Sequence, residues 1–260
     1  MKRFKSICAD GKTIGDGQMP AIITPLVGKT KADVLEEVEA IVLKKPDLLE
    51  WRIDFFEAIG HIPMVIETAL AIRQKAGGIP VLLTRRNATE GGQPLSITED
   101  EVVAMYLEAC RAKCVEMVDY ELSNDIGNLE KIRAVSKENA ISMVMSFHDF
   151  KKTPDAKTLD SKFAAAAKYG ADVGKVAVMP QNDQDVLELL AATGRARETF
   201  DMPLISMSMG GLGALSRIVG WVYGSAATFA VGKSSSAPGQ IAIDDLRQAV
   251  GILRKSVPDA

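Results

Sequence analysis

From residue 21 onward the chain alternates strand-like and helix-like segments eight times, and few folds accommodate so regular a series. Apolar runs at 21–27, 47–53, 80–86, 114–122, 140–147, 172–179, 203–207 and 226–231 read as strands buried on both faces. Helical spacing fills 31–45, 62–76, 98–111, 126–138, 159–169, 184–197, 212–221 and 244–255. In the first of these Val34, Leu35, Val38, Ile41 and Val42 recur at three- and four-residue intervals. Thr98 and Glu101 form a capping-box pattern at the start of the third. Eight such units in 260 residues fit a (β/α)8 TIM barrel, whose usual length is about 250 residues. A doubly wound open sheet is disfavoured, because no glycine-rich fingerprint follows the first strand. Residues 1–19 precede the barrel. There, 4–9 and 12–14 flank Asp10-Gly11 and predict an N-terminal β-hairpin closing one end. With no linker or low-complexity tract, 1–260 is expected to form a single domain.

A buried strand makes Lys175 conspicuous. It stands within Ala171-Asp172-Val173-Gly174-Lys175-Val176-Ala177-Val178-Met179-Pro180, where a charged ammonium loses solvation that a partner must replace or that deprotonation must relieve. A lysine pushed toward its neutral form can form an imine with a carbonyl compound. A salt-bridged core lysine is the plainer alternative.

Strand alternation puts further polar groups on the interior face. Leu48, Glu50 and Arg52 share one face, while Leu49, Trp51 and Ile53 form an apolar face suited to helices. Arg86 is in phase with Leu82 and Thr84, His148 with Val144 and Ser146, and Lys175 with Val173 and Ala177. Active sites of such barrels gather at the C-terminal strand ends, where these residues fall. Glu50 with Arg52 is the obvious structural ion pair. His148 is one of two histidines; His61, beside Ile62-Pro63, reads as a surface or capping group. Imine chemistry needs proton transfers on both sides of the covalent intermediate, which an imidazole can supply.

The net charge of −3 favours neither nucleic acid nor an anionic membrane. Cys8, Cys110 and Cys114 lack metal-ligand spacing and predict free thiols in a reducing compartment, with Cys114 opening a strand. Met1-Lys2-Arg3-Phe4-Lys5 is basic without a following apolar core, and no apolar run is long enough to span a bilayer, so a cytoplasmic location is expected.

Six strings resemble type I 3-dehydroquinate dehydratase, in order, from about residue 20 to the end. They are Glu50-Trp51-Arg52-Ile53-Asp54; Thr84-Arg85-Arg86 with Glu90-Gly91-Gly92; Ser146-Phe147-His148-Asp149-Phe150; Lys175-Val176-Ala177-Val178-Met179-Pro180; Ser206-Met207-Ser208-Met209-Gly210; and Ser236-Ala237-Pro238-Gly239-Gln240. The resemblance implies dehydration of 3-dehydroquinate to 3-dehydroshikimate in the shikimate pathway, through a lysine Schiff base, with no metal or organic cofactor. It implies Lys175 as nucleophile, His148 as acid–base group and Glu90 as the group orienting His148. Arg217 would grip the substrate carboxylate, and Glu50, Arg52 and Arg86 would bind ring hydroxyls. Met207 and Phe229 would form apolar walls, and Ser236, Ala237 and Gln240 would reach the substrate from a lid at 232–240. A homodimer is also implied. The chain departs from the family pattern at Thr24-Pro25, where serine is common, and at Phe147 and Gly174.

Two rival readings remain open at this point: another lysine-imine barrel of the class I aldolase type, and a non-catalytic ligand-binding barrel. The product formed from dehydroquinate separates them. Only dehydration yields a conjugated enone.

Overall fold

The computed structural model describes residues 4–9 and 11–256; the basic opening at 1–3 and Asp10 of the expected turn lie outside them. A hairpin comes first, pairing β1 (Cys8–Ala9) with β2 (Lys12–Thr13) in antiparallel register. The barrel strands are β3 (Ala21–Leu26), β4 (Leu48–Arg52), β5 (Val81–Thr84), β6 (Met117–Glu121), β7 (Ser142–Asp149), β8 (Val173–Val178), β9 (Leu204–Ser208) and β10 (Ala227–Val231). A short β11 (Ile241–Ala242) adds to β10. Helices follow the barrel strands: α1 (Lys31–Val42), α2 (Ile62–Ala76), α3 (Glu99–Arg111), α4 (Ile126–Glu138), α5 (Ala156–Lys168), α6 (Asp183–Thr199), α7 (Ala214–Tyr223) and α8 (Ile243–Ser256). Parallel ladders join β10 through β3 and onward in sequence to β9. The last seam, between β9 and β10, is narrower: Leu204 bridges Ser225, and the Ala226 amide donates to the Leu204 carbonyl at 2.7 Å. The fold is the expected (β/α)8 barrel.

Local chemistry explains the helix starts. Thr98 accepts from the Glu101 amide while the Glu101 carboxylate answers the Thr98 amide, and Thr30 with Asp33 does the same at α1. His61 caps α2 by accepting from the Met64 amide at 3.1 Å. Some edges differ from the sequence reading. Cys114 does not open a strand: Lys113 has a positive φ, and the Cys114 amide still bonds back to Ala109, so β6 begins only at Met117. Helix α5 starts three residues earlier than its apolar pattern, because Asp155 accepts from the Thr158 amide. His148 lies inside β7, beside Ala177 of β8, rather than past the strand's end.

The barrel interior has a floor and a charged layer. Ile23, Leu48, Leu82, Met117, Val144, Val173 and Ile205 form a buried apolar cluster, which Phe4, Ile7 and Ile14 of the N-terminal segment join. The hairpin thereby closes the N-terminal end. Trp51, Ile53, Val81, Leu83 and Val118 point outward into a second cluster beneath the helices. Above the floor the inward residues turn ionic. No helix among the described residues is long and apolar enough to cross a membrane.

Candidate active site

Ser146 stands opposite Lys175 in the β7–β8 register, and Glu50 of β4 and Asp119 of β6 reach the same amine across the barrel interior. The Lys175 ammonium donates to Asp119 Oδ2 at 3.1 Å and Glu50 Oε1 at 3.4 Å, and lies 4.7 Å from the centre of the Phe229 ring. Its surroundings are those of the salt-bridged lysine named as the plainer alternative, not of an amine left in a purely apolar pocket. Lys175 is 4% exposed, and two carboxylates and an aromatic face replace its lost hydration. Glu50 also accepts from Thr84 Oγ1 at 3.1 Å, and it is Lys175, not Arg52, that pairs with it. Arg52 instead grips Asp54 through two bonds of 2.8 Å.

Behind Lys175, Arg86 bridges Asp119 at 2.8 Å and Glu121 at 2.9 Å and donates to Ser146 Oγ at 2.8 Å. Burial opposes charge on Asp119, but Arg86 and then Lys175 outweigh it and hold its carboxyl at about 2. Burial likewise opposes the Arg86 charge, yet Asp119 and Glu121 lift its guanidinium above its ordinary value.

At the cavity's upper rim Glu90 and His148 form a pair. Glu90 Oε2 accepts the His148 amide at 2.8 Å and faces Nδ1 at 2.9 Å, while Oε1 accepts from Ser123 Oγ. With Glu90 ionised, Nδ1 must carry the imidazole proton, because Oε2 has none to give. That assignment leaves the Nε2 lone pair free. Burial, with Arg86, Lys175 and Arg52 nearby, pushes His148 well below its ordinary value, so the ring is neutral at neutral pH. Burial raises Glu90 to about 7, against the Ser123 hydrogen bond and the Arg86 charge.

Glu50, Arg52, Arg86, Glu90, His148, Lys175, Met207, Phe229, Ser236, Ala237 and Gln240 all line one cavity. These eleven residues come from five strands and two loops, and the sequence reading omitted Phe150, Ala177 and Met209 as members of the same wall. Arg217 sits just behind that lining, on α7, and is 2% exposed rather than on a helix surface. It donates to the Pro238 carbonyl at 3.0 Å and the Phe229 carbonyl at 3.5 Å, and its Nε has no hydrogen-bond partner. No carboxylate among the described residues pairs with it, and burial lowers it to about 10. An unpaired buried guanidinium is suited to receive a carboxylate.

The 232–240 segment covers the mouth. Ser236 and Pro238 carbonyls accept from Arg52 and Arg217, and Gly239, at φ +73°, lies so close to Gly210 that a Cβ would meet the Gly210 carbonyl oxygen at 2.2 Å. The Gln240 amide is engaged within the segment itself, with the Ser236 amide and the Ser235 and Ser236 hydroxyls.

Thr24 cannot supply the hydroxyl common elsewhere in this pattern. Its register partner is the outward Leu49, and it packs near Ile41, whereas Pro25 beside Glu50 takes the interior position. Asp119 and Glu121 escaped the sequence reading. The same alternation, Met117-Val118-Asp119-Tyr120-Glu121, marks both as inward residues and would have found them.

The model of the family described as Type I 3-dehydroquinase matches residues 22–257. A 3-dehydroquinate dehydratase of Albidiferax ferrireducens is 50% identical over 259 residues, covering 100% of this chain and 98% of its own length. The crystal structure of 3-dehydroquinate dehydratase from Geobacillus kaustophilus matches with a TM-score of 0.96 at 46% identity, covering 99% of this chain and 100% of that one. A type I enzyme from Clostridium difficile, solved with covalently modified comenic acid, gives 0.92 at 36% identity, covering 98% and 100%. Sequence and fold agree over nearly the whole length, and the chain belongs to the type I 3-dehydroquinase family.

Proposed function

We propose that the chain converts 3-dehydroquinate to 3-dehydroshikimate through an imine on Lys175. The observation that carries this reading is a buried primary amine and a neutral imidazole lining one cavity, beside a guanidinium that lacks a carboxylate partner. Arg217 takes the substrate carboxylate. Glu50, Arg52 and Arg86 receive ring hydroxyls, and Met207 and Phe229 form the apolar walls.

Lys175 loses a proton and attacks the ketone carbon; loss of water from the adduct leaves a protonated imine. That cation draws electrons from the neighbouring carbon, and His148 Nε2 removes its proton to give an enamine. The enamine electrons then expel the β-hydroxyl, which leaves as water with the proton held by His148. Hydrolysis of the imine frees product and amine. The net change is loss of one water. Glu90 faces Nδ1 throughout and offsets the imidazolium charge as it develops. Segment 232–240 acts as a lid that excludes solvent during these steps. The covalently modified ligand in the Clostridium difficile relative lends support to covalent chemistry. A cytoplasmic, biosynthetic setting and a homodimer belong to the same reading.

Addition of 3-dehydroquinate is expected to produce the ultraviolet absorbance of a conjugated enone. Borohydride added during turnover is expected to fix the ligand to Lys175, as read by peptide mass mapping. Enone formation with no adduct on any lysine would refute the imine route.

Glu90 provides a signed pH prediction. Its carboxyl titrates at about 7 when folded and near 4.5 when unfolded, so the folded state binds the extra proton between those values. Stability therefore falls as pH rises through that window, by about 3 kcal/mol. Glu90→Gln removes this loss and is expected to melt higher than wild type above pH 7. Its kcat is expected to drop, by at most about 10². The acid limb of kcat/KM, set near about 7 by Glu90 in wild type, is expected to move to lower pH, where only His148 titrates. An unmoved limb would exclude Glu90 from the proton-transfer pair.

A further inference from the structure

Three parts of the site converge on one carboxylate that the catalytic scheme leaves without a role. Asp54 lies in the 3-10 turn after β4 and is 3% exposed. Its Oδ1 accepts Arg52 Nε at 2.8 Å and the Arg86 amide at 3.3 Å. Its Oδ2 accepts Arg52 Nη2 at 2.8 Å and the Gln93 amide at 3.1 Å. The two amides stand at either end of the loop that carries Glu90. The loop's neck is tight: the Gly92 amide donates to the Asn87 carbonyl at 2.9 Å, and a Cβ on Gly92 would lie 1.8 Å from the Arg86 carbonyl oxygen.

We infer that Asp54 is a positioning residue that couples the Arg52 guanidinium to the Glu90–His148 pair. A carboxylate needed only to neutralise Arg52 has no reason to take the two loop amides, and one needed only to close the loop has no reason to take the guanidinium fork. Each oxygen here takes one donor from each side, so the acceptors are filled in register. With Nε and Nη2 fixed on Asp54, Arg52 Nη1 remains to face the cavity mouth, where it meets the Ser236 carbonyl at 3.3 Å. At the other end, the fixed loop holds Glu90 against both the amide and Nδ1 of His148. Movement of Asp54 therefore shifts the arginine and the acid–base pair together. This inference rests on the proposed roles of Arg52, Glu90 and His148.

Asp54→Asn is nearly isosteric but turns one oxygen into a donor facing one Arg52 nitrogen and one loop amide. KM is expected to rise about tenfold or more, as the loss of a charge-assisted bond does. The second expected effect needs no turnover. With only two histidines, nitrogen NMR resolves His148 once His148→Ala has assigned it. Wild type is expected to hold the proton on Nδ1, and Asp54→Asn to show a mixed tautomer and an acid limb moved toward that of Glu90→Gln. Unchanged KM, acid limb and His148 nitrogen shifts, whatever the melting temperature, would reduce Asp54 to a stabilising ion pair and overturn the inference. Asp54→Ser, which keeps one acceptor, supplies the same readouts if Asp54→Asn does not fold. Wild-type turnover judges the proposed reaction separately, because the tautomer comparison is made without substrate.

Discussion

Lys175→Ala is expected to abolish enone formation from 3-dehydroquinate, with kcat lower on the order of 10⁶-fold, the scale seen when a covalent enzyme loses its nucleophile. Among the described residues no other lysine lines the cavity, so none of their amines stands ready to take over. Removing one partner of a buried ion pair usually threatens the fold. Here the orphaned carboxylates keep other donors: Asp119 retains Arg86 and Ser146, and Glu50 retains Thr84. The variant is therefore expected to fold and to bind ligand through Arg217, Arg52 and Arg86. Stopped-flow absorbance, borohydride trapping and calorimetry check the three parts. Residual turnover within tenfold of wild type, or an adduct on a different lysine, would remove Lys175 from the chemistry.

His148→Ala is expected to lower kcat by about 10²–10⁴, the range for a positioned acid–base group, while the imine still forms slowly. The physical reason is burial together with charge. Burial, and then Arg86, Lys175 and Arg52, keep the imidazole neutral, and the proposed imine on Lys175 would leave a positive charge at the same place. On the proposed route the ring would accept a proton only as electrons move toward the iminium, and would return that proton readily to the departing hydroxyl. Borohydride trapping in the variant is expected to capture substrate-derived adduct that accumulates before proton removal. Added imidazole is expected to restore part of the rate. A wild-type rate with His148→Ala would mean that another group moves the proton.

Much of the architecture was legible because it is local. Helix α2 at Ile62–Ala76 and α4 at Ile126–Glu138 coincide with their predicted bounds, since apolar spacing and capping residues act within a turn or two. The interior phase of Glu50, Arg52, Arg86, His148 and Lys175 was legible for the same reason. Partner choice was not. Glu50 was expected beside Arg52, two residues away on the same face, yet it meets Lys175 across 125 residues. Arg217 carried no strand phase to read, and its burial depends on α7 packing over β9 and β10 beneath Pro238. Cys110 and Cys114, expected as free thiols, are buried, and desolvation raises them to about 12 and about 11.

The sequence by itself determined the eight-unit barrel and which side chains turn inward, because a two-residue alternation is a property of each strand alone. Only tertiary structure decided which inward charge meets which. The strands are staggered around the closed barrel, and that stagger sets Ser146 level with Lys175, Glu121 level with Ser146 and Glu50 level with Pro25. Ion pairing inside a low-dielectric interior acts over a few ångströms, so it responds to those levels and not to separation along the chain.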